Sequence, residues 1–198
     1  MNIQKKPNLV IFIHGFKASS LSAKGVYLKE QFEDFINPSL PISPKLQFIT
    51  LDQLVEAFSQ FYHQITLIGS SLGGFLSIGL LKKYPNLCKV VLINPAVHCE
   101  VTLSKYIGEN EDFGGTKFVL NNTHIQELSD LKTTLDEETQ KKRVLLLVQT
   151  GDQLLDYKEA LQYLPHAQTD IYQGGDHSYI NLDQKIDLIK NFINNPAL

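Results

Sequence analysis

Leu67-Ile68-Gly69-Ser70-Ser71-Leu72-Gly73-Gly74-Phe75 is the stretch whose reading decides the fold. Ile65 to Ile68, just before the first glycine, is a short apolar and β-branched run and reads as a strand. Leu72 to Tyr84, after the serines, is mostly good helix formers and is closed by Pro85. Between strand and helix, Gly69-Ser70-Ser71-Leu72-Gly73 fits G-x-S-x-G. A sharp strand-to-helix turn lifts the middle serine out of the sheet, and the flanking glycines let backbone come close without a Cβ clash. Ser71 then stands at a helix N-terminus, where free N–H groups and the helix dipole favour developing negative charge. The plainer reading is a glycine-rich connector with a capping serine. The strand before and the helix after supply the context that the catalytic reading requires.

Upstream, Leu9 to Ile13 is a continuous apolar run, as in a strand buried on both faces of a parallel sheet. It runs into His14-Gly15-Phe16 and a polar loop. Leu28, Phe32, Phe35 and Ile36 recur at helical spacing, so the pattern predicts an amphipathic helix over about 22–36. Asn37 to Pro44 reads as a loop, Leu46 to Leu51 as a second short strand, and Asp52 as the N-cap of a helix carrying Val55, Phe58 and Tyr62.

Downstream, Lys89 to Ile93 is another buried strand, stopped by Asn94-Pro95. Residues 97–143 break the rhythm: they are more polar, contain Gly108, Gly114 and Gly115, and read as a small lid-like insertion over the sheet edge. Thr123 and Gln126 form a possible capping box before Ile125, Leu128 and Leu131. Val144 to Val148 is a strand ending in Gln149-Thr150-Gly151-Asp152. Tyr157 to Leu164 is a helix, and Thr169 to Tyr172 is a strand ending at Gly174-Gly175-Asp176-His177. Ile186, Ile189 and Phe192 share one face of a last helix. The alternation predicts an α/β fold spanning 1–198 as a single domain, with a mainly parallel sheet and helices on both faces.

In such sheets ligands bind beyond the carboxyl ends of the strands. His14-Gly15-Phe16, Ser71, Asp152 and His177 all follow predicted strands. Ser71 is the candidate nucleophile, and a serine hydroxyl needs an adjacent base with an orienting partner. Of the six histidines, His63 reads as late in a helix, and His98, His124 and His166 fall in loops or the insertion. His177 has the position and the chain order, after serine and aspartate, of an α/β-hydrolase base. Asp152 is the candidate orienting acid and Asp156 its competitor, although strand-end aspartates more often cap helices or turns. An oxyanion hole needs two N–H donors, for which Leu72 and Phe16 are the candidates. His14, His98, Tyr106 and Phe113 are candidate pocket residues.

The motifs His14-Gly15-Phe16, Gly69-Ser70-Ser71-Leu72-Gly73-Gly74, Asn94-Pro95-Ala96-Val97, Thr150-Gly151-Asp152 with Leu155-Asp156-Tyr157, and Gly174-Gly175-Asp176-His177 together resemble the YqiA-type esterase family of small α/β-hydrolases. The resemblance covers nearly the whole chain. It implies a hydrolase of short acyl esters or thioesters with a Ser-His-Asp triad. His98 stands where the resemblance would put an arginine, and Asp176 where it would put an asparagine.

Composition bounds the alternatives. The chain has 198 residues, is 43% hydrophobic and 20% charged, and carries a net charge of −3, which gives no reason to expect nucleic-acid or membrane-surface partners. Cys88 and Cys99, the only two cysteines, could pair but suggest no disulfide framework, and a reduced cytoplasmic setting is the simpler expectation. Lys5-Lys6 before the short Leu9–Ile13 run only slightly imitates a signal peptide, and Asn121-Asn122-Thr123 reads as a chance sequon. No metal motif appears and no cofactor is expected. The activity that the resemblance and the candidate triad imply is cleavage of carboxylic esters of short to medium acyl chains through an acyl-enzyme. Alternatives are an acyl-CoA thioesterase and a non-catalytic binding protein on the same fold. The oligomeric state is left open.

Overall fold

The computed structural model describes residues 4–195. In chain order the elements are β1 (Lys6–Ile13), α1 (Ala23–Gln31), β2 (Phe35–Ile36), α2 (Pro44–Phe58), β3 (Tyr62–Ser70), α3 (Leu72–Lys83) and β4 (Cys88–Ile93). There follow α4 (Cys99–Thr102), a 3-10 turn (Ser104–Tyr106), the hairpin β5 (Gly108–Glu111) and β6 (Lys117–Leu120), α5 (Asn122–Leu131) and α6 (Glu137–Arg143). The chain then forms β7 (Val144–Gln149), α7 (Tyr157–Tyr163), β8 (Gln168–Tyr172), a 3-10 turn (Leu182–Lys185) and α8 (Ile186–Asn194).

The main sheet has six strands in the order β2-β1-β3-β4-β7-β8. Every neighbouring pair is parallel. Residues of β1 alternate between two cores, as the pleat requires. Leu9, Ile11 and Ile13 face Leu51 and Val55 of α2 and Leu76 and Leu80 of α3. Val10 and Phe12 face Leu28 of α1 and Ile189 and Phe192 of α8. Helices thus cover both faces, which is why the central strands read as unbroken apolar runs. Lys89, the second residue of β4, is buried, and its ammonium donates to the carbonyls of Phe192 (2.9 Å) and Ile193 (3.4 Å), docking the C-terminal end of α8 on the sheet.

The strand order reverses between β1 and β3, because the chain leaves β1 toward β2 on one side and returns through β3 on the other. Such a switch point opens a crevice beyond the carboxyl ends of the two strands. His14-Gly15-Phe16 and Ser71 lie there. This is the α/β-hydrolase architecture, with 97–143 standing between β4 and β7.

Several local expectations are corrected. Leu46–Leu51 is not a strand but the first half of α2, which starts at Ser43: its hydroxyl accepts from the Leu46 N–H (3.2 Å), and Pro44 takes the first helical position. Asp52 is therefore mid-helix, and its carboxylate holds Lys83 and the Tyr84 hydroxyl instead of capping. The first helix ends at Gln31, and Phe35–Ile36 is the short edge strand β2, the true second strand of the sheet. Tyr62 and His63 open β3 instead of closing a helix. The capping box of α5 is made by Asn121 and His124, not by Thr123 and Gln126. Cys88 and Cys99 are both buried and unbonded. Within residues 97–143, Leu103, Leu120, Leu128 and Leu135 are buried in the larger core. Among the described residues no helix is long and apolar enough to cross a membrane.

Candidate active site

Ser71 has φ 53° and ψ −119°, a backbone conformation strained for any residue with a side chain. Main-chain bonds hold it there. Its N–H donates to the Ile93 carbonyl (3.1 Å), and its own carbonyl accepts from Gly74 (2.9 Å) and Ala96 (3.1 Å). The turn is this sharp because Gly69 and Gly73 lack side chains. A Cβ on Gly69 would strike the Gly73 carbonyl and the Ser77 hydroxyl, and one on Gly73 would strike the Ile13 carbonyl.

The elbow brings Ser71 to His177. The serine Oγ lies 3.2 Å from His177 Nε2, and His177 Nδ1 lies 2.8 Å from Asp152 Oδ2. The Asp152 side chain is only 2% exposed. Its other oxygen accepts from the N–H groups of Leu154 (2.9 Å) and Leu155 (3.0 Å), so the carboxylate is fixed on both sides. Asp156 does not enter the site: it caps α7 by accepting from the Lys158 N–H (3.0 Å).

The His177 loop has its own scaffold. The side-chain amide of Asn94 donates to the carbonyls of Asp176 (2.9 Å) and His177 (3.3 Å), while its oxygen accepts from the Gln149 N–H (2.9 Å). Buried Gln149 takes the N–H groups of Asp176 (2.9 Å) and Ile180 (3.2 Å) and donates to the Ile180 carbonyl (2.7 Å). Neither residue carries a sequence pattern that marks it as a supporting group. The only signals were the strand stop at Asn94-Pro95 and the motif that follows Gln149.

The loop after β1 passes directly over Ser71. A Cβ on Gly15 would stand 3.1 Å from Ser71 Cβ. Phe16 follows, and its ring packs against Tyr106 (5.4 Å between centroids) and, edge-on, Phe118 (5.7 Å). The tip of the β5–β6 hairpin is tied to the same loop by the Phe113 N–H, which donates to the Lys17 carbonyl (2.9 Å). Leu72 opens α3, so its N–H belongs to the unpaired first turn.

A cavity of about 460 Å³ reaches Ser71 and His177 from outside, with Phe16, Tyr106 and Phe113 on its apolar side. That volume is in the range of small-molecule sites. A second cavity of about 250 Å³ lies across the 14–18 loop, beside Leu40, Pro41 and Phe118. His14 borders both cavities. Burial lowers the pKa of its imidazole below the ordinary value, and Nδ1 lies 3.0 Å from the Gly15 carbonyl. The neutral ring thus donates through Nδ1 and leaves Nε2 bare. Of the pocket candidates, Tyr106, Phe113 and His14 line the larger cavity, but His98 does not: its Nδ1 faces the Lys132 ammonium (2.9 Å) and its ring meets Tyr163 edge-on. His98 stands at the N-cap position of α4.

Lys24 carries no signal in the sequence. It comes from α1, donates to the Ser70 hydroxyl (2.7 Å) and lines the cavity. Burial pushes its ammonium down to about 8, against the pull of Asp176 and Asp152. The two cysteines are the opposite case: burial raises both thiols, Cys88 to about 12, which leaves them inert. A hydroxyl beside an imidazole, the imidazole against a buried carboxylate, is an arrangement suited to making an alkoxide-like nucleophile near neutral pH.

The sequence pattern of the uncharacterised protein family UPF0227 matches residues 9–194. Among solved structures, the chain is similar to the mouse alpha/beta hydrolase domain-containing protein 10 (TM-score 0.73, 18% identity, 96% of this chain and 90% of that one). It is similar also to Est1E from Butyrivibrio proteoclasticus with ferulic acid bound (0.71, 16%, 96% and 88%). A third is the esterase domain of a Rhodothermus marinus protein (0.67, 18%, 96% and 87%). At these identities the likeness carries the fold.

Proposed function

The chain belongs to the uncharacterised protein family UPF0227, and from that premise we propose that it is a serine esterase cleaving carboxylic esters of short to medium acyl chains. The observation that carries this reading is the continuous chain Ser71 Oγ, His177 Nε2, His177 Nδ1, Asp152 Oδ2 at 3.2 and 2.8 Å, with the serine on a strained elbow at the mouth of a cavity.

His177 Nε2 takes the Ser71 proton as Oγ attacks the ester carbonyl. The Leu72 and Phe16 N–H groups receive the oxyanion. Asp152 holds the proton on Nδ1 and stabilises the imidazolium. The imidazolium then gives its proton to the departing alcohol, leaving an acyl-Ser71. Water, activated by the same imidazole, attacks the acyl carbon and frees the acid. Tyr106 and Phe113, with Thr102, Leu103 and Lys105 of the same segment, form the cover that selects the acyl group.

A fluorophosphonate probe followed by peptide mapping tests the reading. The label is expected on Ser71 and is expected to vanish in Ser71→Ala, along with hydrolysis of p-nitrophenyl butyrate. A folded wild-type protein that neither labels nor hydrolyses would leave the fold as a binding scaffold only.

A further inference from the structure

We propose, resting on the esterase reading, that the substrate is anionic: an ester or thioester carrying a carboxylate or phosphate, received by Lys24, Lys17 and Lys105. The chain as a whole is acidic, with 21 Asp and Glu against 18 Lys and Arg. The wall of the larger cavity inverts that balance, presenting these three lysines and no aspartate or glutamate.

Some lysines of the chain are neutralised by a carboxylate and others are not. Lys6, Lys83, Lys132, Lys141, Lys142 and Lys185 each hold a carboxylate. Among the described residues, Lys17, Lys24 and Lys105 enter no such pair. Lys24 instead rests on a neutral hydroxyl, that of Ser70, one residue from the nucleophile. Lys17 and Lys105 stand 5.2 and 5.3 Å from the centroid of the same Tyr106 ring. Lys17 also lies 5.8 Å from the Phe16 ring. Aromatic faces hold these ammoniums in the wall without neutralising them.

The nearby acids, Asp176 and Asp152, offset part of this charge electrostatically but stand off the cavity wall, and among the described residues neither forms an ion pair with Lys24. Asp152 has both oxygens committed, to His177 and to two backbone amides. Asp176 pulls on Lys24 electrostatically but forms no ion pair with it, and one of its oxygens is buried without a hydrogen-bond partner. A half-buried ammonium with one neutral acceptor keeps unused donors, and a carboxylate or phosphate is the partner that satisfies them best. A cleft lined by one sign of charge also draws in oppositely charged substrate, an effect that salt weakens.

The anion can sit on either side of the scissile bond, and two matched pairs separate the cases. Mono-p-nitrophenyl glutarate against p-nitrophenyl butyrate adds a carboxylate to the acyl part. Butyryl-CoA against butyryl-N-acetylcysteamine adds phosphates to the leaving part. In at least one pair the charged member is expected to have a kcat/KM about tenfold or more above its neutral partner, the scale of one charge-assisted hydrogen bond. That ratio should shrink as salt is raised. Lys24→Gln should reduce it, and Lys24→Arg should restore part of it. If Lys24→Gln fails to fold, Lys17→Gln with Lys105→Gln carries the same test at the outer wall. Neutral substrates turned over as fast as charged ones, or a ratio indifferent to salt, would overturn the inference while leaving the esterase reading intact. No turnover of any of the four, with no labelling of Ser71, removes both.

Discussion

Gly73 is packed against the main-chain carbonyl of Ile13 with no room for a side chain between them. The first turn of α3 therefore touches the end of β1 directly, and that contact sets Gly15 against Ser71.

Gly73→Ala should cost stability as well as activity. The added methyl meets backbone, which cannot rotate aside, so a loss of about 1–3 kcal/mol or more is expected, the usual range for overpacking. Urea unfolding of Gly73→Ala beside Gly114→Ala, on the exposed β5–β6 turn, measures it; the second variant should stay close to wild type.

Asp152 and Asp156 should separate cleanly. Asp152→Asn leaves the fold but admits the wrong His177 tautomer, and kcat should fall by about 10⁴, the loss known for the equivalent change in a serine protease. Asp156→Ala removes the α7 cap and should cost about 1 kcal/mol of stability with most activity kept. Near-normal kcat in Asp152→Asn would contradict the proposed role.

Lys24 should be a net burden on the fold. Its pKa in the folded state, about 8, lies below the ordinary lysine value. The unfolded chain therefore binds a proton more readily, and folding carries the full cost of burying an ammonium below about pH 8. That cost fades as pH rises toward about 10.4, where the unfolded lysine also loses its proton. Lys24→Met should raise the melting temperature at pH 7, by about 2–4 °C for each kcal/mol relieved in a chain of this size, and the gain should narrow by pH 10. A variant that melts lower than wild type at pH 7 would contradict this.

Tyr106→Ala and Phe118→Ala both loosen the ring of Phe16. If 97–143 selects the acyl group, each should alter the ratio of rates on p-nitrophenyl octanoate and acetate more than the rate on acetate itself. Unchanged ratios in both would make the segment a structural support alone.

The residues that were legible in the sequence are those whose chemistry is local. The elbow announces itself because Gly69 and Gly73 are required by close approach, and β1, β3, β4 and β7 because burial on two faces leaves no polar alternation. Ser71, Asp152 and His177 follow from their places after strands. Leu46–Leu51 misleads because Phe48, Ile49 and Thr50 favour strands, while the winning term, packing of Leu51 and Val55 on β1, is tertiary. Phe35–Ile36 is too short to show a period. Lys24 could not be found by pattern: a lysine in a helix is ordinarily assigned to water, and only the placement of α1 beside the end of β3 brings it to Ser70. The same is true of Asn94 and Gln149, whose partners lie dozens of residues away.

The hydrogen bond from the Phe113 N–H to the Lys17 carbonyl joins the hairpin tip to the residue that follows Phe16. Anyone grafting a foreign hairpin onto this scaffold would also be moving the Phe16 amide, the group proposed to receive the oxyanion. Residues 15–18 and 106–118 touch through that bond and through the Phe16 ring on Tyr106 and Phe118, so an exchange that respects only the sequence boundaries of the insertion would cut across these contacts.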